Sequence, residues 1–342
     1  MILSPIKARQ PVRQPWSREQ LVCARALALS NSIDISTCKC YSSACNSYLT
    51  FVRLHNFPVE PTPETLSFFI VYMSHHISPH SVKTYLSSLT NQLLPFFPDV
   101  QEARQSHLVK KTLQGCLKLK SKPTSRKQAL STANISLVLS NLATSSDHDD
   151  LLFVALLLTA FFALHRLGEL TFPDDSIIRD WRKVIQHSSV TLHIDCYGFT
   201  LPAHKADCQF EGNSIVVWGE QFGFPTLTHF QAYLRSRDAR FPLASPLWLT
   251  SSGIVPTRSF FIKRLCAFFP TSIAGQSLRA GGATMLAEKG TAPYLIQAAG
   301  HWSSEAFRLY VHKILFFYKP FCLQILLLLL SETPLWRFSL IF

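Results

Sequence analysis

Leu151 to Leu164 reads LLFVALLLTAFFAL, an apolar run of 14 residues interrupted only by Thr159, and the chain turns polar at once with His165 and Arg166. As a helix this run is about 21 Å long at 1.5 Å per residue, well short of the roughly 30 Å hydrocarbon core of a bilayer. A helix that is apolar on every face needs protein on every side. The run is therefore read as the central helix of a globular domain, capped at its start by the polar SSDHDD. At its far end HRLGELTF brings Arg166 and Glu169 out of the core together. An arginine beside such a helix costs several kcal/mol unless it is paired. Two readings stay open: Glu169 is simply its partner, or the pair is an oriented anion site awaiting a phosphate.

Composition narrows the partners. The chain has 342 residues, enough for two ordinary domains, and 47% hydrophobic against 16% charged residues exclude a disordered protein. Lys+Arg outnumber Asp+Glu 33 to 21, a net charge of +12 that favours nucleic acid or an acidic membrane surface without choosing between them. The nine cysteines are scattered and include no C-x-x-C pair. No histidine stands at zinc-finger spacing from Cys38, Cys40 and Cys45, so no metal site is expected and the thiols are read as reduced, in nucleus or cytosol. The opening MILSPIKARQPVRQPW lacks a signal-peptide apolar core, and secretion is not expected.

Residues 1–16 form a basic arm with Lys7, Arg9 and Arg13. Residues 17–117 carry helical periodicity throughout. Cys38, Tyr41, Cys45, Tyr48 and Val52 share one helix face with Ser36 as its cap. Thr62-Pro63 and Ser78-Pro79 each read as an N-cap with proline in the first turn, and a fourth helix is expected over Ala103–Leu117. On the polar side of SVKTYLSS, Lys83 and its serine neighbours are either a solvated face or phosphate contacts. Arg104 to Lys127 holds eight Lys/Arg and no acid. Its end, residues 118–127, reads as an interdomain linker whose Lys118, Lys120, Lys122 and Arg126 are candidate DNA contacts or a soluble tether.

Residues 128–313 form a second domain. After the helix SLVLSNLA and the apolar run come three strand-like segments of a small antiparallel sheet. They are SVTLHID with Val190, Leu192 and Ile194 inward, GFTLPA, and NSIVVW. The turn HKADCQFEGN projects Lys205, as solvent decoration or as a general acid. Residues 221–272 look helical. In the tail 314–342, the apolar stretch of 17 residues from Ile314 to Leu330 is interrupted by Lys319, Pro320 and Gln324. That is short and broken for a spanning helix, so membrane insertion is not expected. The tail is read as a packed or partner-docked segment or a poorly folded end.

Between those segments lies GQSLRAGGATMLAEKGTAPYLIQAAGHWSSEAFRLYVHK, with Arg279, then Gly300-His301, then Tyr310 nine positions past the histidine. Packing alone has no use for that set. Phosphoryl transfer through a tyrosine does: cationic groups hold a phosphate while a phenol oxygen attacks it.

Taken in order, HRLGEL, LPAHKAD, SLRAGGAT and GHWSSEAFRLY resemble the boxes of the tyrosine recombinases, phage-integrase-type DNA breaking and rejoining enzymes, and more closely those carried by eukaryotic mobile elements. The resemblance spans Ser17 to Lys313. It implies a mainly α fold with a small antiparallel β-sheet, built as a two-domain clamp: an all-helical core-binding domain followed by a mixed α/β catalytic domain. It implies that Arg166 and Arg279 clamp the scissile phosphate, that His301 adds a donor and that Glu169 holds Arg166. Tyr310 is then the nucleophile of a 3′-phosphotyrosyl link, and Lys205 the acid that protonates the 5′ oxygen. It further implies double-stranded DNA as partner, tetramers on paired sites, a nuclear location, and no cofactor or metal. One position departs from the pattern: Gln276 stands where the family has histidine. Glutamine donates a hydrogen bond but does not shuttle a proton, so a slowed enzyme or a catalytically weakened DNA-binding protein on the same scaffold is the alternative.

Overall fold

The computed structural model describes residues 13–30, 32–122, 127–202, 212–300 and 302. The chain divides after Thr124 into two compact units. Among the described residues of the first, all regular structure is helical: α1 (Arg18–Ser30), α2 (Ile35–Leu54), α3 (Pro63–His76), α4 (Pro79–Leu93), α5 (Val100–Gln105) and α6 (His107–Lys120). Tyr48, Phe51, Phe69, Ile70, Val82, Leu86 and Leu89 make its core. Thr62 caps α3 as expected, its hydroxyl accepting from Thr65 N at 3.2 Å. α2 starts earlier than its apolar face suggested, because Asp34 rather than Ser36 is the cap and accepts from Ser36 N at 2.8 Å. Ser78 holds the N-cap position of α4 but its side chain makes no capping bond.

The single helix expected over Ala103–Leu117 is two. Ser106 adopts extended backbone (ψ 152°), ends α5, and caps α6 by accepting from Val109 N. A serine can leave a helix cheaply because its hydroxyl replaces the backbone bonds it interrupts. α6 also runs on to Lys120, three residues into the stretch read as linker, so Lys118 and Lys120 lie in its last turn. Lys118 is exposed, but the Lys120 ammonium is buried and does not face a duplex as expected. Lys83 is exposed on α4, and Lys122 is exposed beyond α6.

The second unit is assembled around the apolar run, which is α8 (His148–Phe162), preceded by α7 (Thr132–Leu142). Asp147 caps α8. Nearly every α8 side chain is buried, each large one stabilising by about 1.5–3 kcal/mol. Its first turn is fixed by polar contacts: His148 bonds Ser236 Oγ and the Leu249 carbonyl at 2.9 Å each, and Arg264 meets Asp147, Asp149 and Asp150. α9 (Leu167–Leu170) follows after a tight turn.

The sheet is an antiparallel meander, β1 (Thr191–Leu192), β2 (Cys196–Leu201) and β3 (Asn213–Trp218), in register Tyr197↔Val217 and Phe199↔Ile215. Tyr197, Phe199, Leu201, Ile215 and Val217 point into the core, and the Tyr197 ring stacks on Phe230 at 4.0 Å. The first strand departs from expectation. Only Thr191 and Leu192 pair, Leu192 is exposed and Ile194 fully so, because a 3₁₀ turn at His187–Ser189 and the early turn into β2 leave too little strand to cover. Among the described residues four further α-helices follow: α10 (Thr226–Arg240), α11 (Arg258–Phe268), α12 (Gly275–Glu288) and α13 (Pro293–Ala299). No helix among the described residues is long and apolar enough to cross a membrane.

Candidate functional site

The site begins where α8 stops. Ala163 is its C-cap, and Leu164 takes a left-handed conformation (φ 54°) that bulky side chains avoid. His165 N then reaches back to the Ala160 carbonyl at 3.0 Å, a Schellman closure with leucine where glycine is usual. Burial offsets the strain, since Leu164 packs with Ala283 and Ile296. The turn thereby delivers His165 inward and Arg166 to the surface edge.

Glu169, in α9, binds this turn with both oxygens. Oε1 accepts from Arg166 Nη1 at 2.8 Å, and Oε2 accepts from Arg166 backbone N at 2.8 Å and lies 3.2 Å from His165 Nδ1. Burial pushes the Glu169 carboxyl up, but the hydrogen bond and charge of His165, with the backbone N–H and guanidinium of Arg166, outweigh it and hold the group at about 2. The carboxylate is thus ionised throughout the physiological range. The Arg166 side chain remains 36% exposed, so the residue is both anchored by Glu169 and accessible to solvent.

α12 supplies the second arginine. Gly282 lets it lie directly on the end of α8, where a Cβ would overlap the Phe161 carbonyl, and Gly281 lets it lie on the segment before α7, where a Cβ would overlap the Leu130 carbonyl. At the helix start, a Cβ on Gly275 would sit 2.7 Å from Leu167 Cδ2, so α12 also presses on α9. Arg279 lies between these contacts, and Gln276 is one turn before it on the same side, exposed. The Arg279 guanidinium is buried, stands 4.1 Å from the Trp302 ring centroid, and donates through Nη2 to the Gly300 carbonyl. Gly300 itself has φ −86°, so its glycine is required by packing, because a Cβ there would run into the Trp302 ring.

Arg166, Glu169, Gln276 and Arg279 are thus carried by elements in direct contact, and Arg279 is bonded to the residue that precedes His301. Lys205, His301, Tyr310 and Arg126 lie outside the described residues, as does the tail 314–342. His165, Leu164 and Trp302 also build the site, and sequence reasoning passed over them. The only signal was local: a histidine and a tryptophan each adjoining a boxed residue. Among the described residues no group of three or more His, Cys, Asp or Glu is arranged to hold a metal ion.

No family model and no curated protein matches the chain. Solved structures do. A lambda integrase (75-356) dimer bound to a COC′ core site aligns over 86% of this chain and 94% of its own, at TM-score 0.54 and 14% identity. XerH site-specific recombinase bound to palindromic difH substrate, a post-cleavage complex, aligns over 75% of this chain and 70% of its own, at TM-score 0.53 and 17% identity. The lambda integrase (residues 75-356) bound to DNA gives 0.53 at 13% identity. The chain has the tyrosine-recombinase fold, mostly helical with a small three-stranded antiparallel sheet.

Proposed function

We propose that this protein cleaves and rejoins DNA strands as a site-specific recombinase or integrase derived from a mobile element. The observation that carries the reading is the anchored, solvent-open Arg166 on an element packed against the helix that bears Arg279. In this account the two guanidinium groups bind the non-bridging oxygens of a DNA phosphate and neutralise the charge that builds at phosphorus. His301 adds a third donor. Tyr310 attacks, its phenol proton passing to solvent, forming a 3′-phosphotyrosyl bond and releasing the 5′ oxygen, which takes its proton from Lys205. Attack of a free 5′ hydroxyl on that link reverses the step, and the bond energy is retained in it throughout. Lys83, Lys118, Lys122 and Arg126 contact duplex phosphates, with the electrostatic affinity a chain of net charge +12 carries. The active form is a tetramer on paired sites, in the nucleus.

A second reading has its own observation. Gln276 replaces the histidine of the resembled pattern, which favours a DNA-binding protein with weak cleavage. A nicked suicide duplex separates the two: a covalent protein–DNA adduct with wild type that is absent in Tyr310→Phe supports the enzyme, and DNA binding without any adduct supports the binder.

A further inference from the structure

We propose that His165 is a positioning residue that aims the Arg166 guanidinium by fixing the Glu169 carboxylate. This deepens the proposed function and rests on Arg166 being a phosphate clamp.

A carboxylate held at about 2 is ionised and only accepts hydrogen bonds. The His165 nitrogen 3.2 Å from Glu169 Oε2 therefore carries the proton, and Nδ1–H donates to the carboxylate. The terminal torsion of a glutamate is broad and roughly two-fold, so one bond to a flexible arginine does not fix the plane of the group. Two further bonds do: Arg166 N and His165 Nδ1 both converge on Oε2, leaving Oε1 to face Arg166 Nη1 at 2.8 Å. The histidine is itself held. It is 2% exposed, its backbone N–H closes the left-handed turn at Leu164, and its ring packs against Phe199 of β2 at 6.0 Å between centroids.

A leucine would fill this place with no polar cost. Instead the ring is buried with Nε2 lacking a hydrogen-bond partner among the described residues, which costs stability. The nitrogen that is satisfied is spent on Glu169. The compensating role of the residue is thus its action on that carboxylate, and through it on the direction of Arg166.

The test compares full-length wild type, His165→Leu and His165→Asn, since asparagine restores an N–H near the Nδ1 position and leucine restores only bulk. Single-turnover adduct formation on a nicked duplex is measured beside DNA affinity and thermal melting. The expected result is His165→Leu slowed at least about ten-fold, with DNA affinity within about two-fold of wild type and the fold retained, and His165→Asn close to wild type. A leucine variant as fast as wild type, or an asparagine variant as slow as leucine, overturns the proposal. If wild type forms no adduct, the strand-cleavage reading fails and the arginine is observed directly. In ¹⁵N-arginine-labelled protein the Arg166 Nε–H signal, identified by its loss in Arg166→Lys, should move or broaden in His165→Leu and return in His165→Asn. A signal unchanged in the leucine variant overturns the proposal in that case.

Discussion

Gly282 of α12 lies against the carbonyl oxygen of Phe161 with no room for a methyl group between them. Gly281 stands in the same relation to Leu130. This close approach of α12 to the end of α8 holds Arg279 near the turn that carries Arg166. Backbone atoms cannot swing aside as a side chain can, so added volume forces the helices apart. Gly282→Ala is expected to destabilise by about 3 kcal/mol, read from the urea midpoint, and to reduce DNA cleavage further than the stability loss explains. Gly290→Ala, where a Cβ meets nothing within 4 Å but φ is +80°, strains the backbone without touching α8 and should leave cleavage per folded molecule unchanged.

Glu169 makes stability depend on acid. Its folded value of about 2 lies below the ordinary 4.5, so its contribution is fully present above about 4.5 and is lost as pH falls toward 2. The displacement corresponds to about 3 kcal/mol. Denaturant titrations at stepped pH should show that loss in wild type. Glu169→Gln, already lower at neutral pH, should show a flatter profile in that window; parallel profiles would mean the carboxylate is not held as described.

Arg237 is the largest fully buried side chain of the second unit, bonded to Asp238 and to the carbonyls of Ala244 and Pro246. It ties the loop after α10 to the core. Arg237→Leu removes a buried charge yet orphans two carbonyls, each costing about 1–3 kcal/mol. A loss of about 3 kcal/mol is expected by chemical denaturation, with Arg237→Lys intermediate because it lacks the planar fork.

The parts legible in the sequence were those with short-range causes. Residues 151–162 had to be a core helix on length and polarity alone, and Thr62-Pro63 announced α3. The segments GFTLPA and NSIVVW were read as strands and are β2 and β3, and the spacing from Arg166 to Glu169 carried their ion pair. What escaped was set by tertiary contacts. Leu164 takes a glycine-like conformation because burial with Ala283 and Ile296 outweighs its local cost, and no pattern around residue 164 shows it. Ser106 breaks a helix whose apolar periodicity runs on uninterrupted. Ile194 continues an alternating pattern, yet the chain has already turned toward β2. His165 looked like one more polar residue after the apolar run, and its bond to Glu169 exists only because the Leu164 turn points it inward.

Gln276 is exposed one helical turn before Arg279. If proton transfer at this position limits cleavage, Gln276→His should accelerate adduct formation by about 10²–10⁴-fold, measured in single turnover at fixed DNA affinity. An unchanged rate would remove residue 276 from the chemistry.

The central claim is that Tyr310 becomes covalently joined to a DNA 3′ phosphate held by Arg166 and Arg279. The most direct measurement traps the protein on a nicked duplex, digests the DNA with nuclease and the protein with trypsin, and locates the nucleotide remnant by mass spectrometry. The account predicts a remnant on Tyr310 that disappears in Arg166→Ala and in Arg279→Ala. A remnant on another residue, or none from wild type that binds the duplex, contradicts it.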